Sequence, residues 1–516
     1  MSAGTSGDKG QRPLPKPDGL NRREALMTGT AVFATAGSLS TAAEAQTTAP
    51  PVKLAQAQTT APALPSQQRP NILFFHVDNT GVGDWGAYGG AYARGAKTPN
   101  VDRFASEGLL LHNYTPEAQC TPSRSALMTG RHPIRTGCIT ALPGAGLVAW
   151  EVTIADKLKE LGYSTACLGK WHCGEEVGRL PTDKGFDYWY GIAHTWDEAQ
   201  WPDDKFFKEE GLEPAYMLES KAKGDLRNVK VLDMNVRREV DLEFMDKAMR
   251  WMEDAKAKAQ PFFLYFNHSN IHFPVLPRAE YKDKSNGGPV GDCIQMIDGD
   301  FKVLLDKIDA LGQRDNTIVI FAGDNGRDDS FHAPGNRGSS GSWRGGYFST
   351  FEGNNRTAGM IRWPGKIPPG KSDEMMHITD WFPTLLNMIG HPDKVPTDRV
   401  IDGVDQSAFV TGKQVKSNRT YYPMYFDKLH VGMRYKNFKV LTHKVENGFA
   451  AIQQLAIPHL YNLTVNPDED MPLRYEDPSS WVLTKIFPVK TKELYASLAK
   501  DSVPFGAPLD FNPYKK

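Results

Sequence analysis

Short apolar runs recur along the chain, and stretches of helical periodicity lie between them. Asn71-Ile-Leu-Phe-Phe-His-Val77 reads as a buried strand. Thr98-Pro99-Asn100 then supplies an N-cap with proline at the first helical position, Val101 and Phe104 share one face, and Gly108 ends the helix. Leu109 to Tyr114 returns as a strand. Thr153 caps a second helix that runs through Leu161 to Gly162, and Ser164 to Leu168 is a further strand. Phe262 to Phe266, a helix from Cys293 to Leu311 closed by Gly312, and Thr317 to Phe321 repeat the alternation. Strand and helix in regular succession predict an α/β fold, with a large, mostly parallel central sheet flanked by helices. From about Arg419 the texture changes. Tyr421 to Phe426, Gly432 to Tyr435 and Phe438 to Thr442 read as short strands with tight turns, followed by Leu460-Tyr-Asn-Leu463. The expected organisation is a large α/β domain over 71–418 and a small antiparallel α+β domain over 419–516. The segment 197–240 reads as a charged loop without a motif.

Composition narrows the function classes. With 60 Lys and Arg against 61 Asp and Glu in 516 residues, the chain has no basic excess with which to neutralise nucleic-acid phosphates. Past residue 45 no run of 18 apolar residues occurs, so no stable membrane insertion is expected. Residues 1–45 carry Arg22-Arg23, a mild Ala/Gly/Thr-rich stretch and Ala43-Glu44-Ala45, the pattern of a twin-arginine signal. Ala55-Gln56-Ala57 is a second cleavage candidate, and residues 46–70 form a Pro/Ala/Gln/Thr linker that repeats Ala-Gln-Thr-Thr-Ala-Pro. The export machinery for folded proteins is thus an expected partner, with a periplasmic or secreted destination. Five cysteines leave bridges or buried thiols open, and neither C-x-x-C nor H-E-x-x-H is present.

The polar residues with chemistry follow the strands. In an open α/β sheet, ligands bind beyond the carboxyl ends, where the loops converge. Asp78 and Asn79, Lys170 and His172, His268 and His272, and Asp324 and Asn325 all occupy such positions. Cys120-Thr-Pro-Ser-Arg124 precedes a helix at Ser125 to Thr129 whose positive end would face it. Two carboxylates and two amide oxygens suit a hard cation such as Ca²⁺ or Mg²⁺. Lys170, Arg124 and two imidazoles suit a tetrahedral oxyanion, so metal and cations around a nucleophile point to displacement at sulfur or phosphorus. Gly81-Val-Gly83-Asp-Trp-Gly86 matches a dinucleotide fingerprint, but Tyr88, Gly89 and Gly90 follow where a helix should start. No G-x-S-x-G elbow is present. Trp85, Trp196, Trp201 and Trp343 either stack on a substrate ring or pack their loops.

Cys120-Thr-Pro-Ser-Arg-Ser-Ala-Leu-Met-Thr-Gly-Arg131 resembles the signature of the formylglycine-dependent sulfatases, arylsulfatase-like members of the alkaline phosphatase superfamily. Leu168-Gly-Lys-Trp-His172, Phe321-Ala-Gly-Asp-Asn-Gly326, Ile361-Arg-Trp-Pro-Gly365 and Leu460-Tyr-Asn-Leu463 resemble further blocks in order. The resemblance implies that a maturation enzyme oxidises Cys120 to formylglycine. One hydroxyl of its hydrate then attacks a sulfate ester, and the other expels sulfate. It further implies that Asp78, Asn79, Asp324 and Asn325 hold Ca²⁺, with Mg²⁺ as the alternative ion. Arg124 would orient the nucleophile, Lys170 would bind nucleophile and sulfate, His172 would be the base that expels sulfate, and His272 would protonate the leaving alcohol. The substrate would be a small-molecule or glycan sulfate ester. Two positions depart from the family pattern: Asn79 stands where a second Asp is common, and Tyr347 follows Arg344-Gly-Gly346 where a Lys is common. Phosphonate or phosphate ester hydrolysis, and non-catalytic binding of an anionic glycan, are the alternatives that the sequence leaves.

Overall fold

The computed structural model describes residues 69–144, 146–328 and 337–515. The expected signal at 1–45, and the linker at 46–70 apart from its last two residues, lie outside the described residues.

Among the described residues, sixteen strands form three sheets: β1 (Asn71–Val77), β2 (Leu109–Leu111), β3 (Tyr114–Thr115), β4 (Ser164–Lys170), β5 (Tyr188–Ile192), β6 (Tyr216–Ser220), β7 (Arg227–Val231), β8 (Phe262–Asn267), β9 (Thr317–Gly323), β10 (Gly359–Arg362), β11 (Gly370–Ser372), β12 (Met376–His377), β13 (Tyr421–Phe426), β14 (Leu429–Tyr435), β15 (Phe438–Lys444) and β16 (Gln453–Asn462). Ten of them make the main sheet, in the order β11-β2-β10-β9-β1-β8-β4-β5-β6-β7. The central strands β9, β1, β8, β4 and β5 run parallel, while β10 and β6 run antiparallel to them on the flanks and β7 pairs antiparallel with β6. Parallel neighbours place their carboxyl ends along one edge, so the segments after β1, β8, β9, β4 and β5 converge.

Each central strand is buried on both faces, as the continuous apolar runs require. Leu73, Phe75 and Val77 pack toward the helices Pro99–Glu107, Met234–Ala257 and Gly288–Ala310; Ile72 and Phe74 pack toward Cys120–Thr129, Ile154–Glu160 and Trp381–Met388. Phe75 stacks between Phe266 and Phe321, with ring centroids 5.1 and 5.4 Å away. Two helix starts show how sequence signals resolve. Thr153 makes the expected cap, accepting from the Asp156 N–H. Thr98 occupies the cap position of its helix, but its hydroxyl donates to Asp102 and accepts from Gly86 N. Asp298, from the neighbouring long helix, instead accepts from the N–H groups of Asn100 and Val101.

Several expectations need correction. The single strand at Leu109 to Tyr114 is two: β2 joins the main sheet, while β3 leaves it to pair with β12. The helix expected from Ser125 begins at Cys120 itself. The segment 197–240 is not a featureless loop, because it carries β6, β7 and the first turns of the 24-residue helix Met234–Ala257. That helix was hidden by a mixed face on which buried Arg237 and Asp241 interrupt the apolar stripe.

β13 to β16 form the separate antiparallel sheet. It rests on a buried ionic cluster: Glu352 accepts from Arg356, Arg434 and Lys439, and Lys439 also pairs with Glu469 at 2.8 Å. The five cysteines are unpaired and buried. Among the described residues no helix is long and apolar enough to cross a membrane.

Candidate active site

Converging strand ends assemble one pocket. β1 ends at Val77 and delivers Asp78 and Asn79; β9 ends at Gly323 and delivers Asp324 and Asn325 beside them. Asn79 adopts a left-handed conformation (φ 58°), which Asn tolerates better than most residues. The turn directs its backbone N–H to Asp324 Oδ1, 3.2 Å away. Lys170 is the last residue of β4 rather than a loop residue. The preceding Gly169 has φ 98°, and a Cβ there would lie 2.2 Å from the Asn267 carbonyl oxygen, so only glycine lets β4 and β8 end this close together.

Cys120 opens the helix Cys120–Thr129, whose N-terminal N–H groups face the strand ends and favour negative charge there. Its Sγ lies 3.7 Å from Asp78 Oδ1, 3.9 Å from Asn79 Oδ1 and 3.5 Å from Asn325 Oδ1. One turn on, Arg124 donates to Asp78 Oδ2 at 3.2 Å, Asp324 Oδ2 at 2.8 Å and Asn267 Oδ1 at 2.7 Å. Lys170 Nζ reaches Asp78 Oδ2 at 3.1 Å. The sequence-selected thiol, carboxylates, amides and cations are thus buried in contact with one another.

Protonation follows from burial and neighbours. Burial opposes ionisation of Asp78, but Lys170 and Arg124 outweigh it and hold the carboxyl well below its ordinary value. Burial and the charged Asp78 push Asp324 up to about 6. The two acids therefore form a crowded pair that gains from a further positive charge. Lys170, despite burial, is held as an ammonium by Asp78. Burial pushes the Cys120 thiol up, so the unmodified side chain is neutral.

Both histidines are neutral imidazoles, lowered by burial and then by Lys170. His272 Nδ1 faces the Phe273 carbonyl at 2.7 Å and must donate to it, leaving Nε2 to face Thr195 Oγ1 at 3.0 Å. His172, with φ 55°, donates from Nε2 to the Ala141 carbonyl at 3.2 Å, and its buried Nδ1 has no partner among the described residues. His268 lies apart, bonded through Nε2 to Asp300 at 3.0 Å.

Four participants were not singled out from the sequence. Asn267 and Thr195 carry no motif. Arg237 donates to the backbone oxygens of Ser269 and His272, and its guanidinium lies 5.2 Å over the Trp196 ring. It thereby fixes both segments that hold His272. Asp241, one turn along the same helix, accepts from Ser269 N. Helical periodicity through 234–257 was the one signal that could have found them. Tyr347, noted as a departure, places its phenol oxygen 3.2 Å from Cys120 Sγ, and burial keeps it a neutral phenol. Of the four tryptophans, Trp85 and Trp196 are buried packing residues, whereas Trp201 is exposed and Trp343 lies 4.0 Å under the Arg356 guanidinium.

Three oxygens converge near Cys120, and the donor set of carboxylate and amide oxygens fits a hard divalent cation. Asp78, Cys120 and His272 also bring potential ligand atoms within 4.8 Å of one another. Residue 120 thus lies beside an oxygen set suited to a cation, with His272 close by.

Comparison with known proteins places this pocket in context. The Sulfatase family profile matches residues 70–391. Human arylsulfatase A is 32% identical over 423 residues, which is 79% of this chain and 81% of the relative. The dog N-acetylgalactosamine-6-sulfatase is 33% identical over 372 residues, covering 69% and 68% of the two chains. The crystal structure of the PsFucS1 sulfatase from Pseudoalteromonas sp. superposes with a TM-score of 0.76 at 30% identity, covering 84% of this chain and 91% of that one.

Proposed function

Since the chain belongs to the sulfatase family and is a sulfuric ester hydrolase, we propose that it hydrolyses aryl or glycan sulfates through a formylglycine made from Cys120. The single observation that carries this reading is the placement of Cys120 at a helix N-terminus, within 4 Å of Asp78, Asn79 and Asn325 side-chain oxygens.

Asp78, Asn79, Asp324 and Asn325 would hold Ca²⁺ or Mg²⁺, which supplies positive charge at the sulfate oxygens when bound. The hydrated aldehyde supplies a nucleophile with a second hydroxyl, through which sulfate can be expelled. This chain's own groups do the rest. Arg124 holds the Asp78 and Asp324 carboxylates in place and adds positive charge beneath residue 120. Lys170, fixed as an ammonium, offers its remaining N–H donors to the oxyanion. His172 Nδ1 has a free lone pair, as a base that expels sulfate requires. His272 Nε2 must be protonated to deliver a proton to the leaving alcohol, and an anionic sulfate beside it favours that form.

The substrate class takes its support from the names of the relatives, an arylsulfatase and a sulfatase acting on N-acetylgalactosamine 6-sulfate. The Arg22-Arg23 segment supports twin-arginine export to the periplasm or beyond, and the C-T-P-S-R segment is what a formylglycine-generating enzyme would process. The test is turnover of matched aryl sulfate, phosphate and phosphonate esters by wild type and Cys120→Ala. Sulfate turnover that dominates in wild type and vanishes in the variant is expected. Retained turnover in Cys120→Ala would overturn the mechanism, and dominant phosphorus ester turnover would overturn the substrate class.

A further inference from the structure

One close neighbour of residue 120 has no role in the steps assigned to Arg124, Lys170, His172 and His272. Tyr347 is buried, and its Oη lies 3.2 Å from Cys120 Sγ. Among the described residues, the other side-chain atoms within hydrogen-bonding distance of that sulfur are the Oδ1 atoms of Asp78, Asn79 and Asn325. All three are acceptors. Asn325 Nδ2 is turned away, donating to Asn79 Oδ1 at 2.7 Å and to the Gly326 carbonyl at 2.9 Å. A hydroxyl both donates and accepts, so Tyr347 is the one member of this set that can donate.

The phenol is held in place from two sides. Tyr347 N donates to the Arg327 carbonyl at 2.7 Å, which ties it to the turn that bears Asp324 and Asn325. Phe348 follows with φ 60°, uncommon for a bulky residue and maintained only where the surroundings enforce it. Its ring centroid lies 4.2 Å from that of Tyr347 and 6.3 Å from that of Phe426, the last residue of β13. Thr350 N donates to the Val445 carbonyl at 3.0 Å, Val445 N donates to Thr350 Oγ1 at 3.1 Å, and Arg344 pairs with Glu446 at 2.9 Å. The small sheet thus anchors both ends of the loop that carries Tyr347.

Position 120 needs such a donor once it is modified. An aldehyde oxygen carries no hydrogen and can only accept, as can the three Oδ1 atoms around it. Tyr347 keeps its proton at neutral pH, since a phenol ordinarily has a pKa of about 10 and burial raises this one further. It also brings no charge. Arg124 and Lys170 already balance Asp78 and Asp324, so a phenol here leaves the positive charge of the pocket to a bound cation. A sulfate monoester carries one negative charge, whereas a phosphate monoester at neutral pH carries close to two. A neutral donor gains little from the second charge, and an ammonium in its place would gain much more.

We propose that Tyr347 donates a hydrogen bond to the aldehyde-derived oxygen of residue 120, orienting the nucleophile, and that its lack of charge sets a preference for singly over doubly charged esters. The proposal rests on the formylglycine reading of Cys120. Because the bond is made to the nucleophile and not to the alcohol portion of the substrate, its loss falls on kcat more than on KM.

The test compares wild type, Tyr347→Phe and Tyr347→Lys on matched aryl sulfate and aryl phosphate esters, with the aldehyde content of the residue-120 peptide by mass analysis and Tm by calorimetry. Per aldehyde, Tyr347→Phe is expected to lose about tenfold to a hundredfold in kcat for the sulfate, with KM and Tm little changed. Tyr347→Lys is expected to lower the sulfate-to-phosphate ratio of kcat/KM by about tenfold, a change that a merely structural role would not produce. Wild-type kcat in Tyr347→Phe at equal aldehyde content would overturn the proposal, as would an unchanged ratio in Tyr347→Lys. An active wild type that retains the thiol would instead overturn the formylglycine reading. Should Tyr347→Lys fail to fold, wild type decides: faster turnover of a singly charged aryl phosphonate monoester than of the aryl phosphate supports the charge preference, and the reverse order refutes it.

Discussion

Two buried ionic clusters in this protein have nearly the same ingredients and opposite designs. At the strand ends, Asp78 and Asp324 face Arg124 and Lys170; beneath the small sheet, Glu352 and Glu469 face Arg356, Arg434 and Lys439. In the second, three cations converge on Glu352 and hold its carboxyl well below the usual range against burial. In the first, two cations serve two carboxylates, and several acceptor oxygens crowd a neutral thiol. A closed cluster fastens one sheet to the rest of the fold. An open one has room for a cation, a nucleophile and an oxyanion.

The largest expected contrast comes from deleting the nucleophile. Cys120→Ala should lower kcat by a factor on the order of 10³ or more in steady-state sulfate ester assays, while calorimetry finds Tm little changed. Removing one cation from each cluster separates their roles. Lys170→Met should cost about 10²–10³ in kcat, because Arg124 still neutralises Asp78 and the fold persists. Arg434→Met should instead cost about 3–5 kcal/mol in urea unfolding, with kcat/KM preserved in the folded fraction.

The small-sheet cluster also responds to acid. Glu352 is depressed below its ordinary value of 4.5, so its contribution to stability is complete above that value and is lost as the pH falls below it. Glu352→Gln should flatten that acid limb in a Tm-against-pH series. The smallest effect is expected at Asn79. Asn79→Asp adds a ligand charge but places a carboxylate near Asp328, whose Oδ2 now accepts from Asn79 Nδ2 at 3.3 Å. Calorimetric titration with Ca²⁺ should show tightening by less than about tenfold.

What was legible in the sequence follows the same division. Strands buried on both faces announce themselves as unbroken apolar runs, so β1, β8 and β9 were placed within two residues of their observed ends. The residues just beyond those runs were legible as candidates because a parallel sheet sends them to one edge. The helix bearing Arg237 and Asp241 was not, because a buried ion cluster replaces part of its apolar stripe and imitates a charged loop. The break at His112 and Asn113 was hidden for a similar reason: β2 and β3 are both buried, and only their partners differ. Tertiary partners decide such elements, and local periodicity does not carry them.

The account rests on what stands at position 120 in the mature protein. Mass analysis of the proteolytic peptide that contains Cys120, from protein purified from its native host, tests this most directly. The account predicts an aldehyde or its hydrate in place of the thiol, in proportion to specific activity. A fully active enzyme carrying an unmodified cysteine would contradict it.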